Sequence, residues 1–298
     1  MPHSITLGID HFGLTVNKCS EVISMLYKLG IAGICYVEGP VIDAYPGWMQ
    51  EKLGAREQDS LFVHALRIKN LNLELFEYGK PSPPPQFTPP HIAGLFGLLI
   101  RSNNVESILQ QLPSTVDAKL SRSSQDYCYI AHSSGLNLAF EKSNHEEVLG
   151  VIALHQNTYD DTVDDFKRVF GLKQLRKMRI FECSGVELAG QFGSHIVVLS
   201  SDGHNDRPWN SDTGGHHVAF HADNVDRSRK LLSSIDGYTP MGLPETITQG
   251  PIIGDRWNYV LSPSGLQFEL INMPDGTLPY ERNAEVKRSP ILSQRNWK

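Results

Sequence analysis

The stretch HFGLTVNKCSEVISML, residues 11–26, decides the fold. It begins with alternating apolar residues, passes through a polar turn, and continues with apolar residues three or four positions apart. This pattern predicts a strand followed by an amphipathic helix. The pattern recurs three more times without a gap, as GLLIRSNNVESILQQL (97–112), VIALHQNTYDDTVDDF (151–166) and HVAFHADNVDRSRKLL (217–232). A fourfold internal repeat therefore organises the chain.

Each repeat closes on a second shared pattern, a strand of similar sequence. The closing strands are NLNLELFEYG (70–79), GLNLAFEKS (135–143), GSHIVVLSS (193–201) and GLQFELINMPDG (265–276). An opening strand, a helix and further strands make a βαβββ module of about fifty to sixty residues. One open sheet of this size cannot cover its own apolar face, so the modules are expected to pair.

Linkers between the repeats suggest a division of the chain. The segment PSPPPQFTPP (81–90) is typical of a stiff, extended linker, and a turn-rich segment (201–215) precedes the fourth repeat. We predict an N-terminal domain, 1–144, with modules 1–80 and 91–144, and a C-terminal domain, 145–280, with modules 145–202 and 214–276. The residues after Gly276, including the tail 281–298, have no periodicity and are expected to lie over the surface or to be partly disordered.

Equivalent positions of the four repeats differ in their chemistry. The opening strands carry His11, Gly97, Val151 and His217, and the closing strands carry Glu74, Ala139, Val197 (or Val198) and Glu269. The first and fourth modules thus have a histidine and a glutamate, and the other two have neither. Alternate side chains of a strand share a face, so the histidine and glutamate of a module can point to the same side. Imidazole and carboxylate groups suit one divalent ion, such as Fe, Ni, Co, Zn or Mn.

Four segments resemble a known superfamily: DHFGLTV (10–16), LNLELFEYGKP (71–81), GGHHVAFHADNVDRS (214–228) and SPSGLQFELINMPDG (262–276). They are similar to the vicinal oxygen chelate superfamily, which includes glyoxalase I, epimerases, fosfomycin-resistance proteins and extradiol dioxygenases. The resemblance covers nearly the whole chain as four modules. It implies an α+β fold in which the βαβββ modules pair into two cup-shaped mixed sheets. It also implies that His11, Glu74, His217 and Glu269 are metal ligands.

The pairing of the modules decides where the metal lies. If neighbours in sequence pair, each cup holds one histidine and one glutamate. If the first module pairs with the fourth, one cup holds two of each, and the cup of the second and third modules is metal-free. The complementary loss of ligating residues favours the second arrangement, for which fused glyoxalases and dichlorohydroquinone-type dioxygenases are precedents.

Three further residues lie close to these ligands in the sequence. His216 should face the other side of its strand from His217, and His221 should face the same side near the end of the strand. Tyr259 precedes the last closing strand, and an intervening turn leaves its direction open. It is either a proton donor or substrate contact at the metal, or an ordinary aromatic strand residue.

A metal in this setting acts as a Lewis acid on adjacent oxygens of a small substrate and stabilises an enediolate or enolate. We therefore predict a metal-dependent glyoxalase-type lyase or isomerase in which Glu74 or Glu269 is the base. In one alternative, Glu74 lies beside the metal, and His11, His217 and Glu269 form the triad of an iron(II)-dependent ring-cleaving dioxygenase that acts on a catechol or hydroquinone. In a second alternative, the protein is not an enzyme and sequesters a small molecule, as some resistance proteins do.

Composition narrows the partners and the location. The 298 residues include 27 Lys and Arg against 33 Asp and Glu, a net charge of −6, which argues against nucleic acid or an anionic membrane as the main partner. No segment approaches the roughly 18 apolar residues of a membrane span, and the N-terminal pattern is not that of a secretion signal. The four cysteines form no CxxC pair and indicate reduced thiols. We expect a cytoplasmic monomer or homodimer that binds a small-molecule substrate.

Overall fold

The computed structural model describes residues 5–80, 82–83, 91–111, 119–122, 127–131, 133–203, 207–274 and 276–289. The predicted linker 81–90 therefore lies outside the described residues, apart from 82–83. No helix among the described residues is long and apolar enough to cross a membrane.

All four predicted βαβββ modules form. The first contains β1 (Gly8–Thr15), α1 (Cys19–Lys28), β2 (Ala32–Val41), α2 (Trp48–Leu53), β3 (Leu61–Ile68) and β4 (Leu71–Tyr78). The second contains β5 (Phe96–Ser102), α3 (Val105–Gln111), β6 (Lys119–Arg122), β7 (Tyr127–Ala131) and β8 (Asn137–Lys142). The third contains β9 (Glu147–His155), α4 (Gln156–Arg168), β10 (Lys173–Ile180), β11 (Cys183–Ala189), β12 (Phe192–Gly193) and β13 (His195–Ser201). The fourth contains β14 (His216–His221), α5 (Val225–Leu232), β15 (Thr239–Pro240), β16 (Glu245–Thr246), β17 (Arg256–Leu261) and β18 (Gln267–Asn272), and a 3₁₀ helix, Pro279–Arg282, follows.

The modules pair into two mixed sheets, as the α+β prediction requires. One sheet has the order β15-β17-β18-β14-β1-β4-β3-β2, with β12 and β16 paired to β1 and β17. The other has the order β10-β11-β13-β9-β5-β8-β7-β6. The first sheet joins modules one and four and is called the outer-module sheet; the second joins modules two and three and is called the inner-module sheet. The predicted pairing of the first module with the fourth is confirmed.

This pairing differs from a division of the chain into halves. Each sheet takes one module from residues 1–144 and one from 145–280. The boundary near residue 144 therefore does not separate the two sheets. Whether each half of the chain is a domain of its own stays a prediction.

A shared apolar core also joins the sheets. Phe12 of β1 lies 5.6 Å from Phe96 of β5, measured between ring centroids, and both are buried.

A β-bulge at Asp10 sets the orientation of the residues in β1. The register of β1 against β14 shifts between Ile9 and His11, so Asp10 is the extra residue. Because of this shift, Ile9 packs in the same core as Phe12, although strict alternation would place them on opposite faces. Asp10 and His11 are consequently free to contact each other on the opposite face.

In the third module, the residue equivalent to Glu74 and Glu269 is not the one expected from the sequence. Glu74 and Glu269 each lie opposite the residue two positions after the histidine of their module. The equivalent residue in the third module, opposite Ala153, is Leu199 and not Val197. Apolar side chains fill this face of the inner-module sheet, among them Leu99, Ala139, Val151, Val197 and Leu199.

The C-terminal residues also differ from the expectation. Residues up to 289 do not lie loosely over the surface, because Arg288 is only 1% exposed and Glu281 only 4%. Val286 packs against Gly33 of β2, where a Cβ would lie 2.6 Å from the Val286 side chain. The tail through residue 289 is therefore packed onto the first module, and residues 290–298 lie outside the described residues.

Gly13 of β1 makes room for one of the predicted ligands. It lies opposite His217 on one side and Glu74 on the other. A Cβ at this position would lie 1.8 Å from Cε1 of the His217 ring. Glycine is therefore required here for the His217 imidazole to lie across β1.

We expect the substitution Gly13→Ala to destabilise the protein by about 1–3 kcal/mol, because it overpacks a buried site. The double variant G13A/H217A should recover most of that loss, since it removes the ring that the new methyl group meets. Denaturant unfolding of the metal-free single and double variants measures both effects. Simple addition of the two single-variant losses would contradict this account.

Candidate metal centre

Three of the four predicted ligands, His11, His217 and Glu269, meet at the centre of the outer-module sheet, and Glu74 lies beside His11. His11 Nε2 lies 3.1 Å from Glu269 Oε2 and 3.3 Å from His217 Nε2. His217 Nε2 lies 3.4 Å from the same Glu269 oxygen, and Glu74 Oε2 lies 3.5 Å from His11 Nε2. Ligands bound at about 2.0–2.2 Å to one ion stand roughly 3.0–3.5 Å apart, so the spacing of His11, His217 and Glu269 suits a single divalent ion.

The hydrogen bonds of the two imidazoles orient their free nitrogens towards each other. Asp10 Oδ1 lies 2.7 Å from His11 Nδ1, and Asn210 Oδ1 lies 3.4 Å from His217 Nδ1. An acceptor beside Nδ1 assigns the ring proton to Nδ1 and leaves a lone pair on Nε2. The two Nε2 atoms face each other across 3.3 Å, an arrangement that favours a cation between them.

The surrounding carboxylates favour a positive charge on His11. Burial on its own would lower the pKa of His11, but Glu74, Asp10 and Glu269 raise it to about 10. For His217, burial is the larger effect and lowers the pKa. A proton on His11 therefore occupies this position when no metal is bound.

Asp10 is a buried carboxylate that holds His11 from behind. It is 1% exposed, and its Oδ1 also accepts a hydrogen bond from Arg288 Nη2. Its Oδ2 lies 2.9 Å from His221 Nε2. Burial on its own would raise the pKa of Asp10, but Arg288 and His221 hold it well below its usual value. An ionised Asp10 fixes the ring orientation of His11, as the carboxylate partners of metal-binding histidines do.

Glu74 divides its two oxygens between the ligands and the protein behind them. Its Oε2 faces His11, whereas its Oε1 accepts a hydrogen bond from the Tyr36 hydroxyl at 3.0 Å. Arg288 Nη1 lies 3.4 Å from the same Oε1. Glu74 is thus oriented by groups outside the predicted ligand set.

Glu269 and Tyr259 lie directly opposite each other on β18 and β17. This register determines the direction of Tyr259, whose hydroxyl lies 3.2 Å from His217 Nε2. Burial, and then the charge of Glu269, raise the pKa of Tyr259 well above its usual value, so the hydroxyl keeps its proton. Burial on its own would raise the pKa of Glu269, but hydrogen bonds with His11 and His217 lower it to about 2.

A cavity of about 310 Å³ opens beside these residues. Glu74, Glu269 and Tyr259 line it, and two tryptophans, Trp48 and Trp257, form an aromatic wall with their ring centroids 6.1 Å apart. The cavity therefore connects the predicted ligands to a space of the size of a small organic molecule.

The cavity is acidic. Glu38 and Glu245 line it together with Glu74 and Glu269, and the described lining residues include no lysine or arginine. Burial, followed by the charge of Glu74, raises the pKa of Glu38 to about 7. An acidic lining without cationic side chains disfavours phosphate or carboxylate ligands and favours uncharged or basic ones.

The other histidines of the fourth module have separate places. His221 contacts Asp10, which in turn contacts His11. His216 points to the other face of β14, where its ring stacks on Phe96 at 5.5 Å. Both directions agree with the alternation predicted for this strand.

Three important residues of the centre are not predicted by the sequence patterns: Asp10, Tyr36 and Arg288. Asp10 directly precedes His11 in the DHFGLTV segment, but an ideal strand would turn it to the opposite face. Tyr36 lies on β2, which carries no repeat signature, and Arg288 lies in a tail without periodicity. Tyr36 of β2 pairs with Ala65 of β3, and Ala65 pairs with Glu74 of β4. This register places Tyr36 in line with Glu74 across the sheet, where its hydroxyl can donate to Glu74.

Comparison with solved structures identifies the class of fold. Glyoxalase I from Zea mays is similar over 88% of this chain and 91% of its own, with a TM-score of 0.61 and 14% sequence identity. A Bacillus subtilis protein assigned provisionally as a dioxygenase is similar over 92% of this chain and 87% of its own, with a TM-score of 0.59 and 15% identity. The chain has the fold of the vicinal oxygen chelate superfamily, and the resemblance seen in the sequence is confirmed.

A nearer relative matches a shorter part of the chain. A 2-epi-5-epi-valiolone epimerase from Actinomyces sp. is 51% identical over 80 residues. These residues are 27% of this chain and 43% of the relative, so the match spans less than half of that protein. No protein-family model matches the chain.

We expect the metal-free protein to release a proton when it binds a divalent ion. His11, with its pKa raised to about 10, is protonated below that pH and must become neutral to coordinate. The affinity for Co(II) should therefore rise with pH, by up to about tenfold per unit between about pH 6 and pH 8. Calorimetric titrations in two buffers of different ionisation enthalpy count the protons released.

Matched variants test whether the site is shared between the two modules. Wild type and His145→Ala, which removes an exposed histidine, should bind one Co(II) per chain. His11→Ala and His217→Ala should each weaken binding by more than about 100-fold, since even outer partners of a ligand are worth about 10- to 100-fold. Retained binding in either variant, or an affinity independent of pH, would contradict the shared site.

Proposed function

We propose that the protein is a metal-dependent epimerase, which inverts a carbon next to a carbonyl group in a small, uncharged, oxygen-rich ketone. The observation that carries this proposal is the meeting of His11, His217 and Glu269, with Glu74 beside His11, next to an acidic cavity. The relative that is 51% identical over 80 residues supports an epimerase over a lyase. Its name also supplies the test substrate, 2-epi-5-epi-valiolone.

His11, His217, Glu269 and Glu74 would hold the ion, which supplies a Lewis acid that makes the hydrogen beside a carbonyl group more acidic. His11, His217 and Glu269 fit one divalent ion in type, in spacing and in the direction of the histidine lone pairs, and Glu74, 3.5 Å from His11, is a fourth donor of suitable type.

Glu74 is the better base of the two glutamates. Glu269 contacts both histidines, and its pKa of about 2 makes it a weak proton acceptor that stays ionised as a ligand. Glu74 contacts one histidine, at 3.5 Å, and lines the cavity. Tyr259, protonated at neutral pH, donates a hydrogen bond towards the oxygen on which negative charge develops.

Inversion requires a second group that returns the proton from the opposite side. Glu38 of β2 lines the same cavity, two strands away from Glu74 of β4. Its pKa of about 7 keeps part of the population protonated at neutral pH, as a proton donor requires. One turnover moves a proton from the substrate carbon to Glu74 and a proton from Glu38 to the carbon. Exchange of both carboxyl groups with water restores the starting state.

We expect wild-type protein in D₂O to invert 2-epi-5-epi-valiolone and to incorporate one deuterium at the inverted carbon. Glu74→Gln should lose both inversion and exchange by about 100-fold or more, because it removes the base. Glu38→Gln should lose inversion but keep exchange, since Glu74 can still remove the proton and return a deuteron on the same face. NMR of the substrate carbon distinguishes inversion from exchange.

The exposed Glu57→Gln variant is the control and should behave as wild type. Full activity of Glu74→Gln would contradict its role as the base. Unchanged inversion by Glu38→Gln would contradict its role as the second proton carrier.

One observation favours a second function, an iron(II)-dependent ring-cleaving dioxygenase. The ligand atoms of His11, His217 and Glu269 lie within 4.8 Å of one another. Glu74, in contrast, is held at its other oxygen by Tyr36 and Arg288. Two histidines and one carboxylate, with Glu74 beside them, are the set that leaves positions open on iron(II).

Under the epimerase proposal, iron(II)-loaded protein should consume no oxygen with catechol or hydroquinone. An oxygen electrode measures this directly, with His217→Ala as the control that removes one ligand. Oxygen uptake by wild type, matched by a ring-opened product and absent in the control, would favour the dioxygenase instead.

A further inference from the structure

The C-terminal segment 277–289, called here the strap, packs against the strands that carry the metal centre. The Tyr280 ring lies 4.9 Å from the Tyr36 ring of β2, measured between centroids. The backbone N–H of Ser289 donates to the Asn72 side chain of β4 at 3.0 Å. The strap thus crosses from β2 to β4 and ends beside the strand of Glu74.

Arg288 is the residue that the strap inserts behind the centre. Its Nη1 donates to the Tyr36 hydroxyl at 2.8 Å and lies 3.4 Å from Glu74 Oε1. Its Nη2 donates to Asp10 Oδ1. One planar guanidinium therefore contacts both the carboxylate that orients His11 and the group that orients Glu74.

The charges of the buried groups show why a cation is needed there. Three buried carboxylates, Asp10, Glu74 and Asp255, act on Arg288 through their charges, and Arg288 supplies a positive charge among them. Without Arg288, the Asp10 carboxylate would lose its guanidinium partner, and an incompletely paired charge is costly in a buried site.

We propose that Arg288 is a positioning residue of the metal centre, acting through Glu74 and through the Asp10–His11 pair. This inference rests on the proposed function of the same site. The guanidinium fork holds Tyr36 and Asp10 at fixed positions relative to each other, so that Glu74 Oε2 and His11 Nε2 face one point. The strap is therefore part of the active site, although it lies outside the four modules.

A lysine cannot replace this geometry. Its ammonium group is a single point of charge, whereas the arginine fork reaches two partners on opposite sides. The exposed Lys287, the preceding residue of the strap, offers a matched control because its removal also deletes one positive charge.

The test compares Arg288→Met, Arg288→Lys and Lys287→Met, using Co(II) as the probe. We expect Arg288→Met to bind Co(II) about 10- to 100-fold more weakly, with an altered d–d absorption spectrum because the position of Glu74 changes. Its kcat for deuterium exchange should fall by about tenfold or more, with KM within about twofold of wild type. Arg288→Lys should have a Co(II) affinity and a kcat between those of Arg288→Met and wild type. Lys287→Met should match wild type in both.

A double-variant cycle separates positioning from general stabilisation. If Arg288 acts in part through Glu74, adding Arg288→Met to Glu74→Gln should lower the remaining exchange by a smaller factor than Arg288→Met does in the wild-type background. A merely structural role would lower the melting temperature of Arg288→Met and leave the Co(II) spectrum of the folded protein unchanged. That result, or additive losses in the cycle, would overturn the proposal.

Two measurements test the role of Arg288 even if Arg288→Met fails to fold or the wild type shows no exchange. If Arg288→Met fails to fold, Arg288→Lys is measured in the same way, and a wild-type spectrum, affinity and kcat would overturn the proposal. If wild type shows no exchange, the proposed epimerase function fails, but the Co(II) affinity and spectrum still decide the role of Arg288.

Discussion

The buried ion pair between Asp10 and Arg288 is the interaction on which the arrangement of the candidate metal centre depends in our proposal. It joins the first strand of the chain to the described end of the C-terminal strap, and both residues are 1% exposed. Removing one partner of such a pair costs about 3–5 kcal/mol, because it strands a charge in the interior. His11 and His221 also contact the Asp10 carboxylate, and the Tyr36 hydroxyl accepts a hydrogen bond from Arg288. The fixed position of the pair in turn aligns the two sides of the ligand set.

Much of the fold could be predicted from sequence, because the repeats carry two signals at once. Hydrophobic period marks the strands and helices, and the distribution of histidine and glutamate marks which modules share a site. The distribution of His11, Glu74, His217 and Glu269 favours the pairing of the first module with the fourth, and the order of the strands confirms it. These predictions succeed because alternation along a strand is a geometric property of each residue's position.

The parts that could not be predicted depend on irregular backbone or on long-range contact. The bulge at Asp10 shifts the face of one residue, and no local pattern signals it. In the third module, Leu199 and not Val197 lies opposite Ala153, because the register is set by the whole strand pair. Arg288 belongs to a segment without periodicity, so its burial follows from the partners it meets and not from its neighbours in sequence.

The repeat places Glu74 and Glu269 in equivalent positions, but it does not make them equivalent in chemistry. Glu269 lies between two histidines and opposite Tyr259, whereas Glu74 contacts one histidine and is held by Tyr36 and Arg288. The groups behind Glu74 come from β2 and from the strap, and the strap has no counterpart in the repeat. Two carboxylates with different surroundings can divide the work of ligand and base, as acid–base pairs in enzymes do. Tyr36 and the strap therefore add to a symmetric frame the asymmetry that the proposed catalysis requires.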